Sequence, residues 1–170
     1  MKIQPTFRKL FLLGGVATVA VLGFAYFLEY YFDLNPCPLC YLQRYLLWSI
    51  TILFAMGAIQ NCKNCGRYIY SVGILFISTL GILLASRHLW LQYFISATDI
   101  TSTCMAGFET MLKFKPLLEV LKEVLTSSQE CTKIDFTLLK IPLSGWSFLG
   151  SMGIICFIVV ILGLQIKRRI

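Results

Sequence analysis

Long apolar segments dominate the chain and are separated by short polar stretches. Four such segments, at residues 10–31, 41–59, 68–85 and 146–166, carry at most one charged side chain each. Each is close to the ~20 residues that a helix rising ~1.5 Å per residue needs to cross a ~30 Å hydrocarbon layer. The first segment is too long for the core of a signal peptide, so we expect it to be retained. The pattern therefore predicts an all-α membrane protein, with residues 1–170 forming one domain, a four-transmembrane-helix bundle.

Composition supports a membrane location for the whole chain. The 170 residues are 58% hydrophobic and have a mean hydropathy of +0.77. A soluble domain of this size is much less apolar. The composition therefore excludes an ordinary soluble enzyme and makes the lipid bilayer the first expected partner.

The charged residues are divided between the two sides of the predicted bundle. Eight basic residues lie before the first segment, between the second and third, and after the fourth: Lys2, Arg8, Lys9, Lys63, Arg67, Lys167, Arg168 and Arg169. All eight acidic residues fall on the other side. Basic residues concentrate in the cytoplasm, so both termini are predicted to be cytoplasmic. The net charge of +7 then reflects topology, and no basic patch interleaved with aromatic residues predicts nucleic-acid binding.

Two loops are predicted on the external side, at about residues 32–40 and 88–145. After Pro116 the longer loop has apolar residues at helical spacing, namely Leu117, Leu118, Leu121, Val124 and Leu125. Such a stripe predicts a short amphipathic helix that lies on the membrane surface.

The predicted topology also sorts the seven cysteines by compartment. Disulfides form and persist outside the cytoplasm, and four cysteines are expected there: Cys37, Cys40, Cys104 and Cys131. Cys62 and Cys65 lie in the predicted cytoplasmic turn "NCKNCGR", and Cys156 lies inside the fourth apolar segment. One pair supplies only two of the four ligands of a structural zinc site, and no histidine is nearby. We therefore predict reduced thiols there and no metal site in the chain.

The stretch "NPCPLCYLQRY", residues 35–45, places two cysteines at the start of the second apolar segment. Pro38 suits the first position of a helix, which makes Cys37 the N-cap residue and puts Cys40 in the first turn. The positive end of the helix dipole and its unpaired N–H groups stabilise a thiolate. The pair is therefore predicted to be a reactive dithiol.

Arg44 follows Cys40 by four residues, so it lies on the same helix face, ~6 Å deeper. It either anchors to lipid phosphate or hydrogen-bonds the carbonyl oxygen of a lipid-soluble electron acceptor. A dithiol needs a two-electron acceptor, and a quinone is one that dissolves in the membrane. His88, at the end of the third segment, either stabilises that helix end or contacts the acceptor, and both interpretations stay open.

Cys104 and Cys131 lie in the long external loop, separated by 26 residues. They form either a structural staple of that loop or a mobile pair that exchanges with a second disulfide. Because Cys37 and Cys40 are predicted on the same side, the pattern favours a relay between the two pairs.

Taken in order along nearly the whole chain, these features resemble the disulfide bond formation protein B family, DsbB. The motifs are "NPCPLCYLQRY", "SRHLWLQY", the two external loop cysteines and "IPLSGWS" at the start of the last segment. Members are bacterial inner-membrane enzymes that reoxidise the periplasmic thiol oxidase DsbA. The resemblance implies that a DsbA-like partner attacks Cys104, that Cys131 exchanges with Cys37, and that Cys40 passes electrons to a quinone.

The resemblance further implies that Arg44 and His88 line the quinone site and that the active cysteines face the periplasm. The quinone would be ubiquinone or menaquinone from the membrane pool. The cytoplasmic pair Cys62 and Cys65 departs from the family pattern without affecting the relay.

Two other functions remain compatible with the residues. An enzyme like vitamin K epoxide reductase also couples a C-x-x-C motif in a four-helix bundle to a quinone, although its quinone-proximal pair lies late in the chain. A non-enzymatic scaffold would keep its four external cysteines permanently oxidised as staples.

Overall fold

The computed structural model describes residues 7–33, 37–60, 64–94 and 141–167, together with 116, 118, 119, 122, 137 and 138. Its elements are helices α1 (Phe7–Phe32), α2 (Pro38–Gln60), α3 (Asn64–Phe94) and α4 (Leu143–Lys167), with strands β1 (Thr137–Leu138) and β2 (Ile141–Pro142) before α4. The two strands pair antiparallel. All four helices are long and apolar enough to cross a membrane, so the predicted four-span all-α bundle is confirmed.

The helices are longer than the apolar runs that predicted them. Helices α1, α2 and α4 begin at residues 7, 38 and 143 instead of 10, 41 and 146. Helix α3 ends at Phe94, so the expectation that 88–94 starts a loop is wrong. The 31 residues of α3 span ~46 Å at ~1.5 Å per residue, well beyond a ~30 Å hydrocarbon layer. Hydropathy marks the part of a helix inside lipid, whereas backbone hydrogen bonding continues past it.

The ends of α1 and α2 have local causes in the sequence. Asp33 has φ 49° directly after α1, and a residue in the left-handed region commonly closes a helix. At the start of α2 the carbonyl oxygen of Cys37 accepts from the N–H groups of Cys40 at 2.9 Å and Tyr41 at 3.2 Å. Cys37 is therefore the N-cap and Pro38 the first helical residue, as predicted.

Helices α1 and α2 pack closely through two glycines that each receive a phenylalanine ring. A Cβ added at Gly14 would lie 2.6 Å from the ring of Phe54, and one at Gly57 would lie 2.7 Å from the ring of Phe11. The two rings meet edge to face, with centroids 5.8 Å apart. Both phenylalanines belong to the buried core, which continues to Ile74 of α3. The glycines therefore set the separation of α1 and α2.

Sequential helices pack extensively on one another, whereas α1 and α4 barely touch. The gap between α1 and α4 forms a cavity whose lining also includes α2 and α3. We call the end of the bundle where α1 and α3 finish and α2 and α4 begin the cysteine end. The predicted amphipathic helix lies largely outside the described residues. Among the few that are described there, Glu119 N–H donates to the Pro116 carbonyl at 3.0 Å.

Candidate dithiol site and adjoining cavity

Cys37 and Cys40 lie in the first turn of α2, at the cysteine end. Both are half-buried. The Cys37 thiol donates to the Cys40 sulfur, with the two Sγ atoms 3.0 Å apart. The C-P-L-C spacing thus brings the sulfurs into contact on one turn, which is the arrangement needed to form a disulfide between them.

His88 of α3 faces this dithiol. Its Nε2 lies 3.7 Å from Cys37 Sγ, although the two residues are 51 apart in the chain. Burial is nearly complete, since His88 is only 2% exposed. The family resemblance implied that this histidine lines the acceptor site, and the structure places it beside the dithiol and on the wall of the cavity.

A hydrogen-bond chain orients the His88 ring. Ser144, at the start of α4, donates its hydroxyl to Gln92 Oε1 at 2.5 Å. The Gln92 amide nitrogen lies 3.4 Å from His88 Nε2. If the amide N–H donates across this contact, Nε2 accepts and the ring proton lies on Nδ1. In that tautomer Nδ1 carries the N–H, and the Nδ1 atom is buried with no partner among the described residues.

Arg44 lies one turn further along α2 and is held by α1. Its Nη1 donates to Glu29 Oε2 in an ion pair, with side chains that are 12% and 24% exposed. The guanidinium also stacks over the Tyr26 ring at 4.9 Å and lies 5.9 Å from the Tyr41 ring centroid. This enclosure directs Arg44 into the protein, so the interpretation of Arg44 as an anchor to lipid phosphate is not supported.

The cavity between α1 and α4 has a volume of about 920 Å³. Its lining is mostly apolar, and most of its polar side chains, including both charged ones, lie toward the cysteine end: Glu29, Cys37, Cys40, Gln43, Arg44, His88, Gln92 and Ser144. Like His88 Nδ1, the side-chain amide nitrogen of Gln43 is buried and has no partner in the described part of the chain. Such orphaned donors are costly unless a ligand or water completes them. The cavity is therefore an apolar site with hydrogen-bond donors at one end.

The structure brings together four of the six predicted site residues: Cys37, Cys40, Arg44 and His88. Cys104 and Cys131 lie outside the described residues, so their roles stay predictions. Sequence reasoning missed Glu29, Gln43 and Gln92 as site residues. Glu29 carried a usable signal, because an acidic side chain inside an apolar helix is expected to have a partner or a function.

This fold and site define a class of protein: a four-span membrane protein with a dithiol at the mouth of a large apolar cavity. Residues 7–161 match the family model described as disulfide bond formation protein DsbB. Similar proteins include disulfide bond formation protein B of Hahella chejuensis, 36% identical over 87% of this chain and 88% of its own. The protein of the same name in Methylobacillus flagellatus is 32% identical over 91% and 92%.

Disulfide bond formation protein B 1 of Pseudomonas aeruginosa is 34% identical over 95% of this chain and 96% of its own. The chain therefore belongs to the DsbB family, as the sequence motifs predicted. It is a multi-pass membrane protein and a disulfide-forming oxidoreductase. Membership in this family favours that assignment over a vitamin K epoxide reductase-like enzyme and over a non-enzymatic scaffold.

Proposed function

We propose that the protein reoxidises a periplasmic DsbA-like dithiol oxidase and passes the electrons to a quinone of the bacterial inner membrane. One observation carries this proposal. The Cys37–Cys40 dithiol lies at the mouth of an apolar cavity of about 920 Å³, and two buried donors in that cavity, on Gln43 and His88, have no partner among the described residues.

The lining of the cavity fits a quinone. A quinone combines an apolar body with two carbonyl oxygens that accept hydrogen bonds, and the cavity combines apolar walls with donors at one end. Arg44, Gln43 and the Nδ1–H of His88 are the residues that would hold the ring, and the walls of α1 and α4 would take the apolar tail. When bound, a quinone supplies a two-electron, two-proton acceptor next to the dithiol.

The side chains of the protein itself would carry out the electron transfer and stabilise the acceptor. Cys37 and Cys40 lose two electrons and two protons as the bond between their sulfurs forms. Arg44 lines the cavity, where its positive charge would stabilise negative charge on a bound acceptor, and the ion pair with Glu29 holds the guanidinium there. The Gln92 amide, 3.4 Å from His88 Nε2, favours the tautomer in which Nδ1–H points away from the dithiol and would donate to the acceptor.

The electrons would reach the dithiol through the loop cysteines. In this proposal the reduced partner attacks Cys104, Cys131 is released, and Cys131 exchanges with Cys37. Support comes from the family assignment and from the position of Cys37 at the very start of α2, where an external sulfur can approach it. Each exchange is a thiolate attack on a disulfide sulfur, so the relay needs no additional reagent.

The distribution of charge supports an orientation with the cysteine end in the periplasm. Arg8 and Lys9 at the start of α1 and Lys167 at the end of α4 lie at the opposite end of the bundle. Glu29 and Asp33 lie at the cysteine end. Basic residues favour the cytoplasmic side, which puts the dithiol on the side where disulfides persist.

Replacing Arg44 by alanine tests the proposed quinone site. A charge-assisted hydrogen bond is worth ~1.5–3 kcal/mol, so the KM for quinone should rise about 10- to 100-fold, with the KM for the protein partner unchanged. Arg67→Ala is the matched control, because Arg67 packs over Phe7 at the other end of the bundle. If the quinone KM of Arg44→Ala equals that of Arg67→Ala, Arg44 does not contact the acceptor.

A further inference from the structure

Cys37, Cys40 and His88 form a compact cluster of metal-ligating groups. One ligand atom from each residue lies within 4.8 Å of the other two. Two thiolates and an imidazole are ligands that Zn²⁺ and related thiophilic cations prefer. The C-x-x-C spacing supplies only two of them, and the third comes from α3.

The distances are close to those of a tetrahedral site. Metal–sulfur bonds of ~2.3 Å and metal–nitrogen bonds of ~2.0–2.1 Å place two sulfurs ~3.8 Å apart and a sulfur and a nitrogen ~3.5 Å apart. In the structure the sulfurs are 3.0 Å apart, and Cys37 Sγ is 3.7 Å from His88 Nε2. A side-chain rotation that moves the two sulfurs from 3.0 Å to ~3.8 Å apart would let both sulfurs and the imidazole bind the same metal ion.

His88 is suited to act as the third ligand. The side chain is 2% exposed, so its position is fixed by packing before any metal arrives. Its Nε2 already faces the sulfur, and the competing contact from the Gln92 amide is long, at 3.4 Å. The adjoining cavity leaves room for a water as the fourth ligand, as in three-ligand zinc sites.

We propose that the reduced Cys37–Cys40 pair and His88 together bind one thiophilic divalent cation of the Zn²⁺ type. Binding converts both thiols to thiolates, forms two metal–sulfur bonds and one metal–nitrogen bond, and releases two protons to solvent. The cluster exists only while the cysteines are reduced, because the disulfide leaves no thiolate to coordinate the metal. The metal is therefore specific for the reduced enzyme.

Binding has a consequence that rests on the proposed function. A metal that holds both sulfurs keeps them from forming a disulfide or exchanging with a second pair, so catalysis stops until the metal leaves. Metal binding itself does not depend on a quinone or a protein partner, so it can be tested separately from turnover.

The test uses Co²⁺ as a spectroscopic probe with the full chain in detergent. Substituting serine for Cys62, Cys65, Cys104, Cys131 and Cys156 leaves only the proposed ligands among the cysteines. After anaerobic reduction, this variant should bind one Co²⁺ per chain with thiolate-to-cobalt charge transfer and tetrahedral ligand-field bands, and Zn²⁺ should displace it. The same variant oxidised to the Cys37–Cys40 disulfide should show neither band.

The contribution of His88 is measured in the same variant. His88→Ala should weaken Co²⁺ binding at least tenfold, and His88→Cys, which restores a ligand, should recover most of the affinity. Co²⁺ binding that is equally tight in His88→Ala, or no tetrahedral spectrum in the reduced variant, would overturn the proposed site. In a protein with intact site and loop cysteines, micromolar Zn²⁺ should inhibit turnover and a chelator should reverse the inhibition. Zn²⁺ binding without inhibition would overturn the proposed arrest of catalysis but would leave the metal site itself standing.

Discussion

The cavity between α1 and α4 can be filled by a single substitution, which makes its role testable. Gly153 of α4 lines the cavity, and a Cβ built there meets no described atom within 4 Å. Gly153→Phe should therefore fold and place an aromatic ring where a ligand's apolar body would lie. We expect the KM for quinone to rise while the KM for the protein partner stays the same.

The size of the effect follows from the area that the ring takes up. A phenylalanine side chain covers ~150–250 Å², and about 100 Å² of lost ligand contact costs ~2.5 kcal/mol at ~25 cal/mol per Å². That free energy corresponds to a roughly 60-fold increase in the quinone KM. Initial rates measured over a series of quinone concentrations in detergent give this value directly.

Gly163→Phe is the matched control for this experiment. Gly163 lies on the same helix and is equally open among the described residues, but it is not part of the cavity lining. The control should retain the wild-type quinone KM. Equal effects at Gly153 and Gly163, or no effect at either, would refute the assignment of the cavity as the acceptor site.

Two further predictions concern stability, measured as free energy of unfolding by denaturing detergent. The Glu29–Arg44 pair is largely buried, with the Arg44 side chain 12% and the Glu29 side chain 24% exposed, so Glu29→Ala should lower the free energy of unfolding by ~2 kcal/mol. The double variant with Arg44→Ala should lose ~1 kcal/mol less than the sum of the two single variants. Additive losses would show that the two side chains are not coupled. Gly57→Ala should lower the free energy of unfolding by ~1–3 kcal/mol because its Cβ would lie 2.7 Å from the Phe11 ring. Gly23→Ala is the control and should not destabilise the protein, since a Cβ there meets no described atom within 4 Å. Equal losses in the two variants would contradict the close packing of α1 on α2.

Features that depend on neighbours along the chain were predictable from the sequence. Apolar length identified the four helices, and the missing N–H of Pro38 identified Cys37 as the N-cap of α2. The fixed 3.6-residue period also placed Arg44 on the same face as Cys40. Each of these depends on the covalent chain and on the hydrogen bonding of a single helix, so no tertiary information was needed.

Features that depend on how helices rotate against each other were not predictable. Glu29 and Arg44 pair across α1 and α2, and His88 reaches Cys37 across 51 residues. The first contact depends on how α1 packs on α2, where Gly14 and Gly57 allow a close approach. The second depends on how α3 packs on α2, and the apolar pattern encodes neither arrangement. The extension of α3 to Phe94 was missed for a related reason, because polar residues such as Arg87 and Gln92 end the hydropathy signal without ending the helix.

The central claim is that electrons pass from a protein dithiol through Cys37 and Cys40 to a quinone. The most direct measurement mixes the purified protein anaerobically with a stoichiometric reduced DsbA-like oxidase and follows ubiquinone absorbance. We predict that one quinone is consumed per disulfide formed and that Cys40→Ser abolishes this consumption. If the protein with both Cys37 and Cys40 present forms no disulfide in the partner and consumes no quinone, the account of the site is wrong.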